Sequence, residues 1–425
     1  MRTRSSWAVV DQTFVSAGNF VTTLVLSRSL IPSEFGMFAL LSSVCLVANG
    51  FHSNLIVSPL MVLGAAETGK KRRACPTAAI GLTSLLSPVW VCAILIASLS
   101  LHRIASGAWA ALSVLAWQYQ ETTRRALFAV IRQRDALWGD LISYPGQAIV
   151  IWLVMRTRYG NLDSAFIVIG ATSLAAALLQ GRQAGIGRIS WKQCALRLRQ
   201  FWRISGWLLL SSLTGIVAAP WMPWLLNWFH GRSAAASFQA VMGVLNLTNP
   251  VVLSISAIVI PAVSAMLVRP GSKHRCLKIA LRYIVQFEIL LAPLLVVMLV
   301  WPHWVLSLFF GSHSVYCRET VALRIAVFTC VLNVPLQVFQ GVLTGKGNTR
   351  SVAILQGAGA LTGLLGAPLL VFYAGVPGSM LAESVNRGVK SLCGMQSLIG
   401  LDRKERGQSR SPRRLSEVSF AHVED

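Results

Sequence analysis

Residues 7 to 63 contain two long apolar segments, Trp7 to Leu30 and Phe35 to Leu63, hinged by Leu30-Ile31-Pro32-Ser33-Glu34-Phe35-Gly36. Each exceeds the roughly 20 residues that an α-helix needs to cross about 30 Å of hydrocarbon, so both are candidate membrane spans. Pro32 cannot continue the first helix, Ser33 can N-cap the second, and Glu34 falls in its first turn, near the positive end of the helix dipole. The hinge therefore reads as a tight turn between two helices.

Polar residues interrupt both segments: Asp11, Gln12, Ser16 and Asn19 in the first, Asn49, His52 and Asn54 in the second. A charge at mid-membrane costs about 2.5 to 3.5 kcal/mol even on the lenient insertion scale, so such residues normally face a bundle interior or a water-filled cavity. Asp11, Gln12 and Asn19 recur over about two helical turns and are expected on one face, as a cavity wall. Asp11 is also a candidate ion-coupling residue.

Composition extends this reading to the whole chain. With 54% hydrophobic and 12% charged residues and a mean hydropathy of +0.61, it lies far from the roughly 25% charged residues of a soluble domain. A net charge of +23 does not indicate nucleic acid, because that reading needs a basic face on a soluble fold. The cations instead cluster in alternate loops: Arg2 and Arg4, Lys70 to Arg73, Arg124 to Arg134, Arg182 to Arg203, Arg269 to Arg282, Lys346 and Arg350, and Arg403 to Arg414. The intervening loops hold little beyond Arg28, Arg103, Arg156, Arg158, Arg232 and Arg318. By the positive-inside rule both termini are expected in the cytoplasm, with an even number of spans in an inner (plasma) membrane. The basic N-terminus is read as a retained first helix, since Asp11 and Gln12 break the apolar run of a signal peptide. Eight cysteines without a C-x-x-C pair indicate neither a disulfide framework nor a metal site, with Cys317 alone on the exterior side. No cofactor is expected.

Further apolar segments recur near 77–101, 104–131, 138–156, 160–181, 204–229, 235–268, 277–301, 319–343, 350–373 and 376–398. With the first two they make about 12 spans. The expected fold is all-α: a polytopic membrane protein with a six-helix lobe at 1–181, a basic amphipathic connector at 182–203, a second six-helix lobe at 204–400, and a disordered basic tail at 401–425. Ser33, Phe38 and Asn49 repeat as Ser233, Phe238 and Asn249 at an offset of 200. Two repeats of six spans share one orientation and would enclose a central cavity. The tail cluster Arg403, Lys404, Arg406, Arg410, Arg413 and Arg414 suits either anionic lipid or a merely solubilising role.

The fourth span is the least compatible with lipid. Gln118, Glu121, Thr122 and Arg125 lie at i, i+3, i+4 and i+7, and Asp140, Tyr144 and Gln147 answer from the fifth span, across a turn expected near Gln133 to Ala136. Counting from that turn places Arg125 deeper than Asp140 and within its reach. Arg124 and Arg125 admit two readings: topology-setting residues paired with Asp140 or Glu121, or a guanidinium fork for phosphate oxygens. In the second half, Asn333, Gln337, Gln340 and Thr344 form a stripe, with Gln239, Asn246 and Asn249 on the eighth span. Such amides can bind sugar hydroxyls or join helices. Glu288 is a lone acid in the ninth span, read as a proton- or cation-coupling group, as a neutral buried carboxyl, or as a partner of Arg282. Glu383 and Arg387 suggest an intrahelical pair, and Gly359 to Gly363 close helix packing. Gly341 to Gly347 only faintly suggests a phosphate loop and reads as a turn.

The Asp-Gln of the first helix, Gly18-Asn19-Phe20 and Leu26-Ser27-Arg28-Ser29-Leu30-Ile31-Pro32-Ser33-Glu34-Phe35-Gly36-Met37-Phe38-Ala39-Leu40 resemble the opening of the polysaccharide and O-antigen flippases. These belong to the multidrug/oligosaccharidyl-lipid/polysaccharide exporter superfamily. The run Gln120-Glu121-Thr122-Thr123-Arg124-Arg125 is similar to the helix that precedes a short basic turn in the same family. The resemblance covers roughly residues 1 to 400. It implies a flippase, not an enzyme, that moves polyprenyl-diphosphate-linked oligosaccharide between leaflets by alternating access, in the biosynthesis of O-antigen, capsule or exopolysaccharide. Its partners would be that substrate, membrane lipids and other polysaccharide-assembly proteins. On this reading Arg124, Arg125, Gln118, Asn19, Asn49, Asn249, Asn333, Gln337 and Gln340 bind substrate, and Asp11 and Glu288 couple an ion. The rivals are a multidrug and toxin extrusion-type antiporter, which favours acids in its cavity, an integral-membrane glycosyltransferase or polymerase, for which the sequence offers no Asp-x-Asp and no long exterior loop, and a non-transporting scaffold of an envelope assembly.

Overall fold

The second helix starts two residues earlier than expected. In the computed structural model, which describes residues 2–66, 69–218, 221–267, 276–346 and 348–410, α1 spans Arg2–Ser29 and α2 spans Pro32–His52. Ile31 is extended (φ −63°, ψ 152°) and makes no side-chain cap, and Pro32 occupies the first turn. The reason is the proline: it forces extended geometry on the residue before it and is pre-set for a helix start, so Ser33 lies inside the helix and does not cap it. Glu34 instead reaches Arg103 Nη2 at 2.6 Å, tying this turn to the next one at the same end of the bundle.

Every regular element among the described residues is helical. After α2, a π turn (Ser53–Val57) leads into α3 (Ser58–Ala66); α4 covers Gly69–Ser100 and α5 covers Ile104–Ala129. Then α6 (Gln133–Leu141), a π turn (Ile142–Gly146) and α7 (Gln147–Met155) form the fifth crossing, and α8 (Leu162–Ala184) the sixth. Pro145 explains the second π turn, because it removes a backbone donor and the helix must widen around it. The seventh crossing combines α9 (Trp191–Ala218) and α10 (Trp221–His230). The eighth is α11 (Arg232–Leu245), a 3₁₀ turn and α12 (Asn249–Leu267). Next come α13 (Cys276–Val300), the short α14 (Pro302–Phe310), α15 (Thr320–Gly345) and α16 (Thr349–Arg410).

Eight described segments are long and apolar enough to cross a membrane, and one of these, 54 residues from Arg350 to Arg403, holds two crossings. Gly375 divides it with φ 56° and ψ −127°, a conformation that a β-carbon would oppose. α1, α5 and the α9–α10 pair, too polar or too interrupted for that criterion, complete the twelve. The last helix continues to Arg410, ten residues into the segment expected to lack structure; residues 411–425, with Arg413 and Arg414, lie outside the described residues. The connector is likewise more ordered than a loop: after the short non-helical stretch 186–190, α9 begins at Trp191 and takes up the rest of it.

Small residues set the packing inside the first lobe. α5 lies along α8, Gly170 meeting the Ser113 backbone and Ala110, Ala111, Ala165 and Ala176 filling the seam. Without a hydrophobic drive between helices in lipid, such close approach is what holds them together. In the second lobe α15 packs along α16, α12 and α13. Gly359 and Gly363 face Lys390 and Asn386 of the same helix after its break, the close packing their spacing implies.

The two lobes meet at the end that carries the α1–α2 and α10–α11 turns. There α2 and α11, which begin 200 residues apart and both lose regular α geometry one or two turns from an asparagine at the same offset, pack against each other. Arg28 donates to the Phe309 carbonyl and, at 2.7 Å, to that of Leu308, so a guanidinium caps the C-terminal end of α14. Trp224 Nε1 donates to Ser43 Oγ (3.0 Å), Arg232 Nη2 to the Leu101 carbonyl (3.1 Å), and Phe35 meets the Tyr316 ring. Gly36 is the closest point: a β-carbon there would stand 2.0 Å from the Arg232 carbonyl oxygen. Gly36→Leu is therefore expected to pry this end apart and to make Cys317, now buried beside the seam, reactive toward a membrane-impermeant maleimide; Cys317 unreactive in both proteins would contradict this account.

Candidate functional site in the first lobe

α1, α5 and α6 converge on one buried guanidinium. Arg124 Nε lies 2.6 Å from Asp140 Oδ2, its Nη1 lies 3.2 Å from Glu121 Oε2, and its Nη2 is bound to Asp11 Oδ2. Its side chain is 4% exposed, those of Asp11 and Asp140 not at all. Each carboxylate approaches a different nitrogen, which a planar fork with five donors permits and a lysine does not. The residues were legible, but the register was not: Arg124, rather than Arg125, meets Asp140. The helical turn explains the difference. The α5–α6 turn occupies 130–132 rather than 133–136, and adjacent residues on a helix point about 100° apart.

A second ring of polar groups holds the carboxylates. Asp140 Oδ1 accepts from Gln180 Nε2 at 3.0 Å and from Gln120 Nε2 at 3.3 Å, and Ser143 Oγ donates to Gln120 Oε1 at 2.6 Å. Gln180 also donates to the Ala136 carbonyl (2.8 Å). It fits because Gly139 has no β-carbon, which would stand 2.5 Å from the Gln180 amide. Gln180 escaped sequence reading; its only signal was an amide in the last turn of the sixth span.

Arg125 differs from its neighbour. Its Nε donates to Glu121 Oε1 at 2.6 Å and its side chain is 34% exposed, while Phe128 lies under both guanidiniums, at 5.0 Å from Arg124 and 5.7 Å from Arg125. Thus Arg125 keeps a partly exposed guanidinium beside the stripe, whereas Arg124 is enclosed by acids. The stripe itself turns inward: Gln118, Glu121 and Thr122 are buried. Thr122 Oγ1 lies 3.1 Å from His52 Nε2, which also meets Thr83 Oγ1 at 3.2 Å. The two threonine oxygens also lie 3.3 Å from each other and each is within hydrogen-bond distance of a helix carbonyl, of Ala79 and of Gln118, so His52 closes a buried triangle of polar groups. Gln118 is fully buried with neither amide atom bonded, and Asn49 Oδ1 is also without a partner.

The remaining expected residues divide. On α1, Asp11 is buried, Gln12 half-buried and Asn19 exposed. Asn49, Asn249, Asn333, Gln337 and Gln340 are half-buried on α2, α12 and α15, and Asn249 Nδ2 donates to Asn246 Oδ1 at 3.1 Å. Glu288 is not joined to Arg282: its Oε1 is buried without a partner, against an apolar groove of about 350 Å³ lined by Leu295, Val327 and Phe328 among others. Arg387 meets Glu383 at 3.5 Å, as their spacing suggests. No cluster of three metal-ligating side chains occurs among the described residues.

A sequence profile for MatE matches residues 208–369, within the second lobe. The whole chain superposes on the lipid II flippase MurJ in an inward closed conformation, with a TM-score of 0.68 at 14% identity over 93% of this chain and 88% of that one. It also superposes on an inward-facing multidrug resistance MATE family transporter of the MOP superfamily, with a TM-score of 0.60 at 14% identity over 96% of both chains. For a MATE structure in complex with MaL6 the TM-score is 0.63 at 12% identity, over 95% of this chain and 96% of that one. This chain shares the fold of MurJ and of the MATE transporters. It is a multi-pass membrane protein. No curated protein sequence matches it significantly.

Breaking a buried ion pair by removing one partner typically destabilises by about 3 to 5 kcal/mol, because the other charge stays buried. Arg124→Leu, which strands Asp11 and Asp140 and leaves Glu121 to Arg125 alone, is expected to reach that range and to lower the melting temperature or yield of the purified protein. Arg124→Lys should rescue little. An unchanged melting temperature in Arg124→Leu would show that the group does not hold the lobe.

Proposed function

We propose that this protein is a flippase that moves polyprenyl-diphosphate-linked oligosaccharide from the inner to the outer leaflet of the inner membrane, by alternating access, for cell-surface polysaccharide biosynthesis. The observation that carries the reading is the state of the charges in the first lobe. All three acids of the node are engaged by arginine, and the side chain left open is a cation, Arg125, with the half-buried amides of α2, α12 and α15 as candidate partners for sugar hydroxyls. An anionic diphosphate suits that set, whereas an organic cation would need a free carboxylate there. Arg124 becomes a positioning residue that fixes α5 and with it Arg125. The loop bias in Arg and Lys supports cytoplasmic termini, so that the substrate meets Arg125 on entry. Asp11 Oδ1, buried without a partner, is the oxygen on which a coupling proton or ion would be taken up.

A second reading, a cation-coupled multidrug antiporter, rests on Glu288 and its unpartnered oxygen in the second lobe. The two separate in cells. Loss of this protein should trap lipid-linked oligosaccharide in the inner leaflet. Arg125→Gln, at matched membrane abundance, should weaken substrate capture about ten- to hundredfold, since a charge-assisted contact contributes roughly 1.5 to 3 kcal/mol. Arg125→Lys should restore it only in part. Normal export in Arg125→Gln would end the diphosphate assignment, and loss of organic-cation export in Glu288→Gln with normal oligosaccharide export would transfer the function to the second reading.

A further inference from the structure

The start of α9 has three distinct flanks. One is a buried seam: Cys194, Phe201 and Ser205, seven and four residues apart, pack on the first lobe, with Ser205 Oγ donating to the Leu55 carbonyl at 3.1 Å. That carbonyl belongs to the π turn after α2, where the widened helix leaves acceptors free. On a helical wheel, Trp191 and Trp202 follow on the next flank, both 60% exposed. Lys192, Arg199 and Arg203 lie beyond them, all exposed, with Leu196 among them at 74%. Arg182 and Arg188 add exposed cations just before the helix. No acidic residue occurs between Asp163 and Glu288 to neutralise them.

Position decides what covers these flanks. The start of α9 lies level with the basic end of α4: Gly187 N donates to Thr77 Oγ1 at 3.1 Å and Cys194 Sγ lies 3.9 Å from the Ala78 carbonyl oxygen, a few residues past Lys70 to Arg73, where the apolar part of α4 begins. Its first turns therefore stand at the membrane boundary. Tryptophan flanks belong at the level of the lipid headgroups, and a row of basic side chains beside them faces phosphate. A soluble partner would not account for tryptophans held at the depth where a bilayer begins.

We propose that α9 from Trp191 to Arg203 is a binding surface for anionic phospholipid headgroups, with Trp191 and Trp202 set into the headgroup boundary and Lys192, Arg199 and Arg203 against the phosphates. The surface is independent of the transported substrate. Because the buried seam of α9 grips the π turn of α2, lipid held there also steadies the cytoplasm-directed end of α2.

Hydrogen exchange on the full-length protein tests this in nanodiscs of phosphatidylcholine with and without phosphatidylglycerol. Amides of 191–203 should exchange about tenfold more slowly when phosphatidylglycerol is present, the difference disappearing at high salt and in Lys192→Gln/Arg199→Gln/Arg203→Gln. Equal exchange in the two bilayers at low salt, measured on the unaltered protein, overturns the proposal whether or not the variant folds. Equivalent slowing by inorganic diphosphate in pure phosphatidylcholine would also overturn it, by showing a site for free phosphate rather than for lipid.

Discussion

The first lobe depends on the enclosure of Arg124 by Asp11, Glu121 and Asp140. None of these groups is tolerable alone in a membrane, and each becomes tolerable because the others are present. The consequence is geometric. Asp11 fixes the rotation of α1, Asp140 fixes the depth of α6, and Glu121 keeps α5 between them, so three helices that could slide along apolar seams are held at one register. The outer ring of Gln120, Gln180 and Ser143 extends that constraint to α8 through Gly139, where a larger residue would displace the Gln180 amide.

The joint between the lobes rests on different physics. Where the first lobe is pinned by charge, the lobes meet through backbone proximity at Gly36, a guanidinium on helix-end carbonyls at Arg28, and ring contacts such as Phe35 with Tyr316. None of these requires a buried ion pair to break when the lobes part, since Arg28 and the carbonyls of Leu308 and Phe309 lie where water can replace them. A rigid lobe and a separable joint are what a rocking transporter needs: the motion is confined to the seam while the helices within each lobe move together.

Much of the architecture was legible because the bilayer leaves few alternatives. Apolar segment lengths placed the crossings, and the 200-residue offset between Asn49 and Asn249 marked two helices that do pair. What the sequence could not show was rotation. Arg124 and Arg125 are neighbours in a run of polar residues, and only the position of the turn at 130–132 decides which of them points at Asp140. The same uncertainty hid Gln180 and the His52 contacts, because a lone amide or histidine in a span does not name its partner. Ser33 misled for another reason: a good capping residue was present, but the proline before it had already started the helix.

The division of labour between Arg124 and Arg125 follows from that rotation. Both sit over Phe128 and both touch Glu121, so the acid between them is shared: Oε1 serves Arg125 and Oε2 serves Arg124. A carboxylate held from two sides cannot follow one arginine without loosening the other. If an anion draws Arg125 toward it, Glu121 is released to lean on Arg124, and Arg124 in turn relaxes its hold on Asp11, whose second oxygen has no partner. Arg125 is thereby connected to Asp11 through three salt bridges in series, two within one turn of α5 and one reaching α1. If the proposed flippase binds its diphosphate at Arg125 and a proton or ion at Asp11, the coupling between them is reciprocal, each changing the other's affinity by the same factor.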